Sequence, residues 1–263
     1  IQAASAKSVK FTNRDAWIPR YTQWVYYVFK DAKTDTPTEA QREALLTVHF
    51  RAVKEEYEFL GEAVPQEVWD DLPKTCNISK PLLRLIHGLP GSGTSKLLHW
   101  LTEYFETVWL WTQSNEFSMC APMNSMADNI GGITLHSFGQ LAFKDRRGVL
   151  INTGRTSEKD RKGLFPEKWH NLRFLLIDEI EAAGVDIIGQ IESKIRTNVP
   201  VSSTVHQAMQ RTQHPDRGRS QPFAGVNVLL FGDFWQLDPP SGTFLGSIPV
   251  DFMKRSRRFE VNV

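Results

Sequence analysis

Long hydrophobic runs are missing from this 263-residue sequence. No apolar stretch approaches the roughly 18 residues of a membrane helix, so no membrane partner is expected. Cysteine is scarce. Cys76 and Cys120 stand far apart, without metal-ligand spacing, and both read as reduced and structural, as in an intracellular protein. Net charge is nearly absent: 31 Lys and Arg against 30 Asp and Glu leave +1. Any nucleic-acid site must therefore be a local patch. The opening IQAASAKSVKF has neither an initiator Met nor a signal-peptide core, so the chain reads as a fragment or a processed product. What is present is ordinary for a globular protein. Hydrophobic residues make up 41% and charged residues 23%, enough for a real core in one large or two small domains.

Residues 1 to 36 carry an aromatic stripe, Trp17, Tyr21, Trp24, Tyr26, Tyr27 and Phe29. It is expected to be a helix packed on the main domain, with base stacking as the alternative. Thr36-Pro37 signals the start of a second helix, whose apolar positions Ala44, Leu45, Val48, Ala52 and Tyr57 share one face. A polar connector, 61–80, closes this extension. Continuous apolar runs at 82–86, 117–121, 173–177 and 226–231 read as buried strands, with helices predicted over 97–111, 124–130 and 182–198. Strands alternating with helices imply an α/β fold, a mostly parallel sheet with helices on both faces. The segments 144–168, largely basic, and 200–221 read as irregular insertions, and 246–263 as a basic tail.

The stretch Leu82–Leu98, LLRLIHGLPGSGTSKLL, runs from strand through glycine loop to helix. Inward backbone N–H groups and a helix N-terminus make such a loop a phosphate cradle. It fits G-x-x-x-x-G-K-[ST] with Gly88 and Gly93 as the fixed glycines and Ser95 as the magnesium hydroxyl, but Thr94 stands where lysine belongs. Gly88, Pro90, Gly91, Ser92, Gly93, Thr94 and Ser95 are thus candidate nucleotide contacts. Asp178, after the 173–177 run, is placed to hold Mg2+ together with Ser95. Glu179 is placed to orient or deprotonate a water. Gln236, beyond the 226–231 run, is placed to sense a terminal phosphate.

The order of GLPGSGTS, APMNSMADNIGGITLHSF, FLLIDEIE and PFAGVNVLLFGDFWQLDPP resembles the Pif-type superfamily-one DNA helicases, including those of Helitron-like transposons. The most specific pieces are GDFWQLDPP and IGGITLHSF. The resemblance implies a RecA-like P-loop NTPase lobe over 81–245, which hydrolyses ATP with magnesium and moves 5′ to 3′ on single-stranded DNA. It makes Asp178 and Ser95 metal ligands, Glu179 the catalytic base and Gln236 the γ-phosphate sensor, supported by Asp233. Gln41 corresponds to the residue that reads the adenine edge. Thr134, His136, Ser137 and Phe138 correspond to the motif touching DNA, with a packed core pair as the alternative for His136 and Phe138. A monomer in the nucleus, or in the mitochondrion, is expected. Repair, recombination and telomere upkeep are associations of the family.

Two departures bear on activity. A threonine hydroxyl is short and neutral, and losing a charge-assisted phosphate bond costs roughly 1.5–3 kcal/mol in binding, with a larger cost in the transition state. Lys96 does not replace it, lying about 200° around a helix from position 94. The sequence also stops at Val263, before any second lobe with an arginine finger. The alternative is therefore a degenerate module that binds nucleotide or single-stranded DNA without turnover. A nucleotide kinase is disfavoured, since no lid with paired arginines is recognisable and GDFWQLDPP would be unexplained.

Overall fold

The computed structural model describes residues 16–30, 36–59, 78–89, 91–141, 143–144, 150–151, 171–202, 221–233 and 245. Five strands form one sheet: β1 (Leu83–His87), β2 (Phe117–Ala121), β3 (Ile133–Thr134), β6 (Phe174–Ile177) and β7 (Asn227–Gly232). Their order is β1-β7-β6-β2-β3, and every pairing is parallel. All five carboxyl ends therefore lie along one edge, with His87 opposite Gly232 and Ile177 opposite Leu230. This is the α/β arrangement expected from the alternation of apolar runs and helical segments, and it agrees with the RecA-like core that the resemblance implies. A separate antiparallel pair, β4 (Phe143–Lys144) and β5 (Leu150–Ile151), opens the basic stretch. The rest of that stretch, most of 200–221 and the basic tail lie outside the described residues.

Helices cover both faces because successive strand residues point to opposite sides. On one face, Phe117, Met119, Leu176, Leu229 and Phe231 pack under α1 (Trp17–Val25), α2 (Glu39–Phe59) and α3 (Thr94–Thr107). On the other, Cys120, Leu175, Ile177 and Val228 pack under α5 (Leu135–Gly139) and α6 (Val185–Ser202), and the short α4 (Asn124–Asn129) joins β2 to β3. The aromatic stripe is core: Trp17 stacks on Trp109 at 5.4 Å and Tyr21 on His49 at 3.7 Å. Tyr26 and Tyr27 alone of that group are largely exposed, on the π-helical turn Tyr26–Lys30.

Two expectations are corrected. β1 is not a buried strand: it is an edge of the sheet among the described residues, and Leu83 and Leu85 are 40% and 48% exposed. Helix α2 is capped at Thr38 rather than Thr36. The Gln41 amide N–H donates to Thr38 Oγ1 at 3.3 Å, and the Thr38 N–H donates to Gln41 Oε1 at 2.9 Å. This reciprocal pair is a capping box, with Pro37 just outside it.

A buried polar cluster sets how β1 and β7 sit on α2. Arg51, fully buried, donates from Nε to Asn227 Oδ1 at 3.1 Å and from Nη2 to Glu55 Oε1 at 2.9 Å. Asn227 Nδ2 donates to Glu55 Oε1 at 2.8 Å, and the Leu82 N–H donates to Asn227 Oδ1 at 2.9 Å. Burying such groups is tolerable only because each finds a partner. The cluster anchors the starts of the two strands whose other ends carry the glycine loop and Asp233.

Candidate nucleotide site

The glycine loop leaves β1 and closes on the N-terminus of α3. Gly91 and Gly93 have φ of +81° and +85°, and Gly93 is the N-cap residue of α3. A residue with a Cβ would pay about 1–2 kcal/mol at either position. The loop is tight at its base, where a Cβ on Gly88 would stand 2.2 Å from Ser92 Oγ and 2.8 Å from Thr94 Cγ2. The Gly88 N–H donates to the Gly232 carbonyl at 3.3 Å, joining the loop to the neighbouring strand end. Pro90 lies outside the described residues.

Gln41 sits directly on this loop. Its Nε2 donates to the Ser92 and Gly93 carbonyls, both at 3.2 Å. The long connector between Gln41 and the loop hid this proximity in the sequence. Lys96 is exposed, with its Nζ over the Trp100 ring at 5.5 Å. The cation at position 96 is thus used over Trp100, and among the described residues Lys96 does not stand in for the lysine missing at Thr94.

Ser95, Asp178 and Glu179 line one cavity of about 310 Å³, together with Leu98, His99 and Met119. Asp178 directly follows β6, and its N–H donates to the Cys120 carbonyl at 2.9 Å. Burial pushes its carboxyl up to about 6, with the Glu179 charge adding to the rise and a backbone hydrogen bond opposing it. Glu179 has φ 51° and ψ 47°, a left-handed conformation that a glutamate adopts at a cost of about 1–2 kcal/mol. Strain of this kind persists where the surroundings over-determine it.

Sequence reasoning missed two groups. Glu181, on the 3-10 turn Ile180–Ala182, is buried and accepts a hydrogen bond from the Asp233 N–H at 3.2 Å. Burial, then the Glu179 side chain nearby, raises its carboxyl well above the ordinary range. The available signal was the third acidic residue of Asp178-Glu179-Ile180-Glu181. His87, at the end of β1, places Nε2 3.4 Å from Asp233 Oδ1. Asp233 is buried at the end of β7, whereas Gln236 lies outside the described residues.

The segment expected to touch DNA begins at the same carboxyl edge. Thr134 caps α5, with Oγ1 accepting from the Ser137 N–H at 3.1 Å and lying 3.0 Å from Ser137 Oγ. Ser137 is exposed. His136 is half-buried, and burial lowers its imidazole from the usual range. Phe138 is 1% exposed and packs in the core with Leu135 and Ile191, the arrangement of the core alternative for this residue. The motif's helical period turns this ring inward.

No family model matches the chain. Among curated proteins it is 27% identical over 157 residues to the ATP-dependent DNA helicase PIF1 of Saccharomyces cerevisiae, covering 59% of this chain and 15% of that protein. Its identity to the Candida albicans protein of the same name is 28% over 143 residues, 52% of this chain and 13% of that one. With the Psychrobacter ATP-dependent DNA helicase Pif1 it shares 26% over 160 residues, 59% and 20% of the two chains. The chain thus spans a fifth or less of the length of these relatives. Among solved structures, unliganded Pif1 from Bacteroides is 22% identical over 83% of this chain and 36% of that one, with a TM-score of 0.45. Bacteroides Pif1 bound to single-stranded DNA is 28% identical over 62% and 31%, with a TM-score of 0.40. The order of the four motifs in the sequence and these curated relatives together make the chain a relative of the Pif-type superfamily-one DNA helicases.

Proposed function

We propose that this chain is the nucleotide-binding lobe of an ATP-dependent, 5′-to-3′ DNA helicase of the Pif type, and that Thr94 leaves it weak in hydrolysis. The observation that carries the reading is the convergence of Ser95, Asp178 and Glu179 on one cavity beside a glycine loop and a helix N-terminus. Backbone N–H groups of 91–95 bind the phosphates, and Gln41, whose Nε2 donates to the Ser92 and Gly93 carbonyls, is the proposed reader of the base.

The residues fit magnesium. Ser95 and Asp178 are hard oxygen donors on one cavity, and a buried carboxylate with a raised pKa is one that a divalent cation stabilises. When bound, the ion supplies charge neutralisation at the terminal phosphates. Glu179 orients the attacking water, and Gln236 contacts the terminal phosphate. Lysine would add a charge-assisted bond to these phosphates, and the neutral Thr94 hydroxyl cannot.

Single-stranded DNA is the proposed partner, met by Thr134, His136 and Ser137 along the same edge. The chain acts as a monomer, in the nucleus, where that DNA is, or alternatively in the mitochondrion. A degenerate module that binds nucleotide without turnover is the second reading, and Thr94 is the observation that favours it.

Two assays on the purified chain test the proposal. Phosphate release with and without single-stranded DNA is expected to stay near background. DNA-stimulated turnover on the order of 10 per second, as typical enzymes reach, would refute the weak-hydrolysis part. Fluorescence anisotropy with labelled oligonucleotide is expected to show binding that falls steeply with salt. No binding at low salt would remove DNA as the partner.

A further inference from the structure

Both ends of the Gln41 amide are used on the protein itself. Oε1 accepts from the Thr38 N–H at 2.9 Å, and Nε2 donates to the Ser92 and Gly93 carbonyls, both at 3.2 Å. These partners fix which end of the amide is which, because carbonyls meet only its NH2 group and a backbone N–H only its oxygen. The start of α2 is thereby joined to the glycine loop. A Cβ on Gly93 would stand 2.7 Å from Nε2, so the amide lies against the loop backbone. The Gly93 carbonyl also accepts from the Leu97 N–H at 3.0 Å, the first bond of α3. One peptide is thus held from the helix and from Gln41 together.

A peptide unit points its C=O and the following N–H in opposite directions. Two carbonyls turned toward Gln41 therefore turn the Gly93 and Thr94 N–H groups away from it. Gly93 and Thr94 open α3, where the helix itself supplies no carbonyl for such groups. We propose that Gln41 is a positioning residue for the phosphate loop, clasping two carbonyls so that the Gly93 and Thr94 N–H groups face the phosphates. This role is separate from contact with a base, and it constrains that contact. Nε2 is spent on the loop, so Gln41 offers a base only the remaining acceptor capacity of Oε1. It can take an N–H from the exocyclic amine of adenine and has none to give to the ring nitrogen N7. The inference rests on the reading of this loop as a nucleotide site.

The test uses tripolyphosphate, a ligand with no base, with magnesium present. The parent is the full chain with Thr94→Lys, because Thr94 weakens phosphate binding whatever stands at 41. Gln41→Met keeps the length of the side chain and loses the amide. It is expected to lower tripolyphosphate affinity about three- to tenfold, the size of one net hydrogen bond, and ATP affinity at least as much. Thr38→Ala is the control. It removes the Thr38 Oγ1 half of the α2 cap and leaves both Gln41 bonds to the loop, so tripolyphosphate affinity should stay within about twofold of the parent. An unchanged tripolyphosphate affinity in Gln41→Met, or equal losses in Gln41→Met and Thr38→Ala, overturns the inference and leaves the nucleotide site standing. So does a parent that binds ATP but not tripolyphosphate. The parent should also bind 7-deaza-ATP, which lacks the N7 acceptor, within about twofold of ATP. A larger loss shows that the amide leaves the loop for the base, and overturns the inference likewise. Failure of the parent to bind either ATP or tripolyphosphate overturns the nucleotide reading, and the inference with it.

Discussion

At the scale of single residues, the site depends on which positions tolerate a Cβ. Gly93 and Gly232 differ in an instructive way. At Gly93 a Cβ would meet Gln41 Nε2 at 2.7 Å, the far end of a flexible side chain, so the main penalty is the +85° φ. Gly93→Ala should therefore cost about 1–2 kcal/mol of stability and also weaken nucleotide binding, since the loop must re-form around the methyl. At Gly232 the obstruction is the held carboxyl of Glu181 and the Ile180 backbone. Gly232→Ala should cost about 1–3 kcal/mol, as overpacked sites do. Urea unfolding of both variants checks this, and wild-type stability for Gly232→Ala would mean that the carboxyl is free to move. Asp178 and Glu179 were legible in the sequence because they follow an apolar run directly. Glu181 was not, since its role depends on a backbone N–H fifty-two positions away. For Phe138 both a DNA contact and a core position were open, because an aromatic ring in a short helix gives no sign of its direction until the neighbouring α6 is placed.

Among the elements, the carboxyl edge of the sheet organises everything. The strands 117–121, 174–177 and 227–232 could be read from mostly apolar runs, because a strand covered on both faces has few polar positions. β1 was read as one of them and is not. Its alternation of exposed and half-buried residues follows from its place at the edge, which no single run of sequence reveals. Equally hidden was the means by which α2 meets the sheet. Arg51, Glu55 and Asn227 lie far apart in sequence and form one buried hydrogen-bonded cluster. Removing one member leaves the others buried and uncompensated, so Arg51→Ala should cost about 3–5 kcal/mol. A loss below 1 kcal/mol in denaturant titration would show that the cluster is not a structural anchor.

For the whole molecule, His49 predicts how stability follows pH. It is fully buried between Tyr21 and Tyr104, with Nδ1 2.8 Å from the Tyr104 hydroxyl. That hydroxyl already accepts from Trp109 Nε1, so its own proton can point at the imidazole. Burial lowers the imidazole from 6.5 to about 3. Between those values the unfolded chain binds a proton that the folded chain refuses. Stability is therefore full above about pH 6.5 and lost progressively toward pH 3, by about 1.4 kcal/mol per unit. Acidification from pH 7 to 5 should cost about 2 kcal/mol through this residue alone. His49→Phe should remove that part of the acid sensitivity, and an unchanged pH dependence would contradict the assignment.

The central claim is that the glycine loop is a nucleotide site lacking one charge, at Thr94. Titration of a fluorescent ATP analogue with magnesium, onto the wild-type chain and onto Thr94→Lys, tests it directly. The account predicts weak binding by the wild type and an affinity about ten- to a hundredfold higher for the variant, the equivalent of one charge-assisted hydrogen bond. Equal affinities would show that Thr94 is not the defect, and no binding by either protein would contradict the nucleotide site itself.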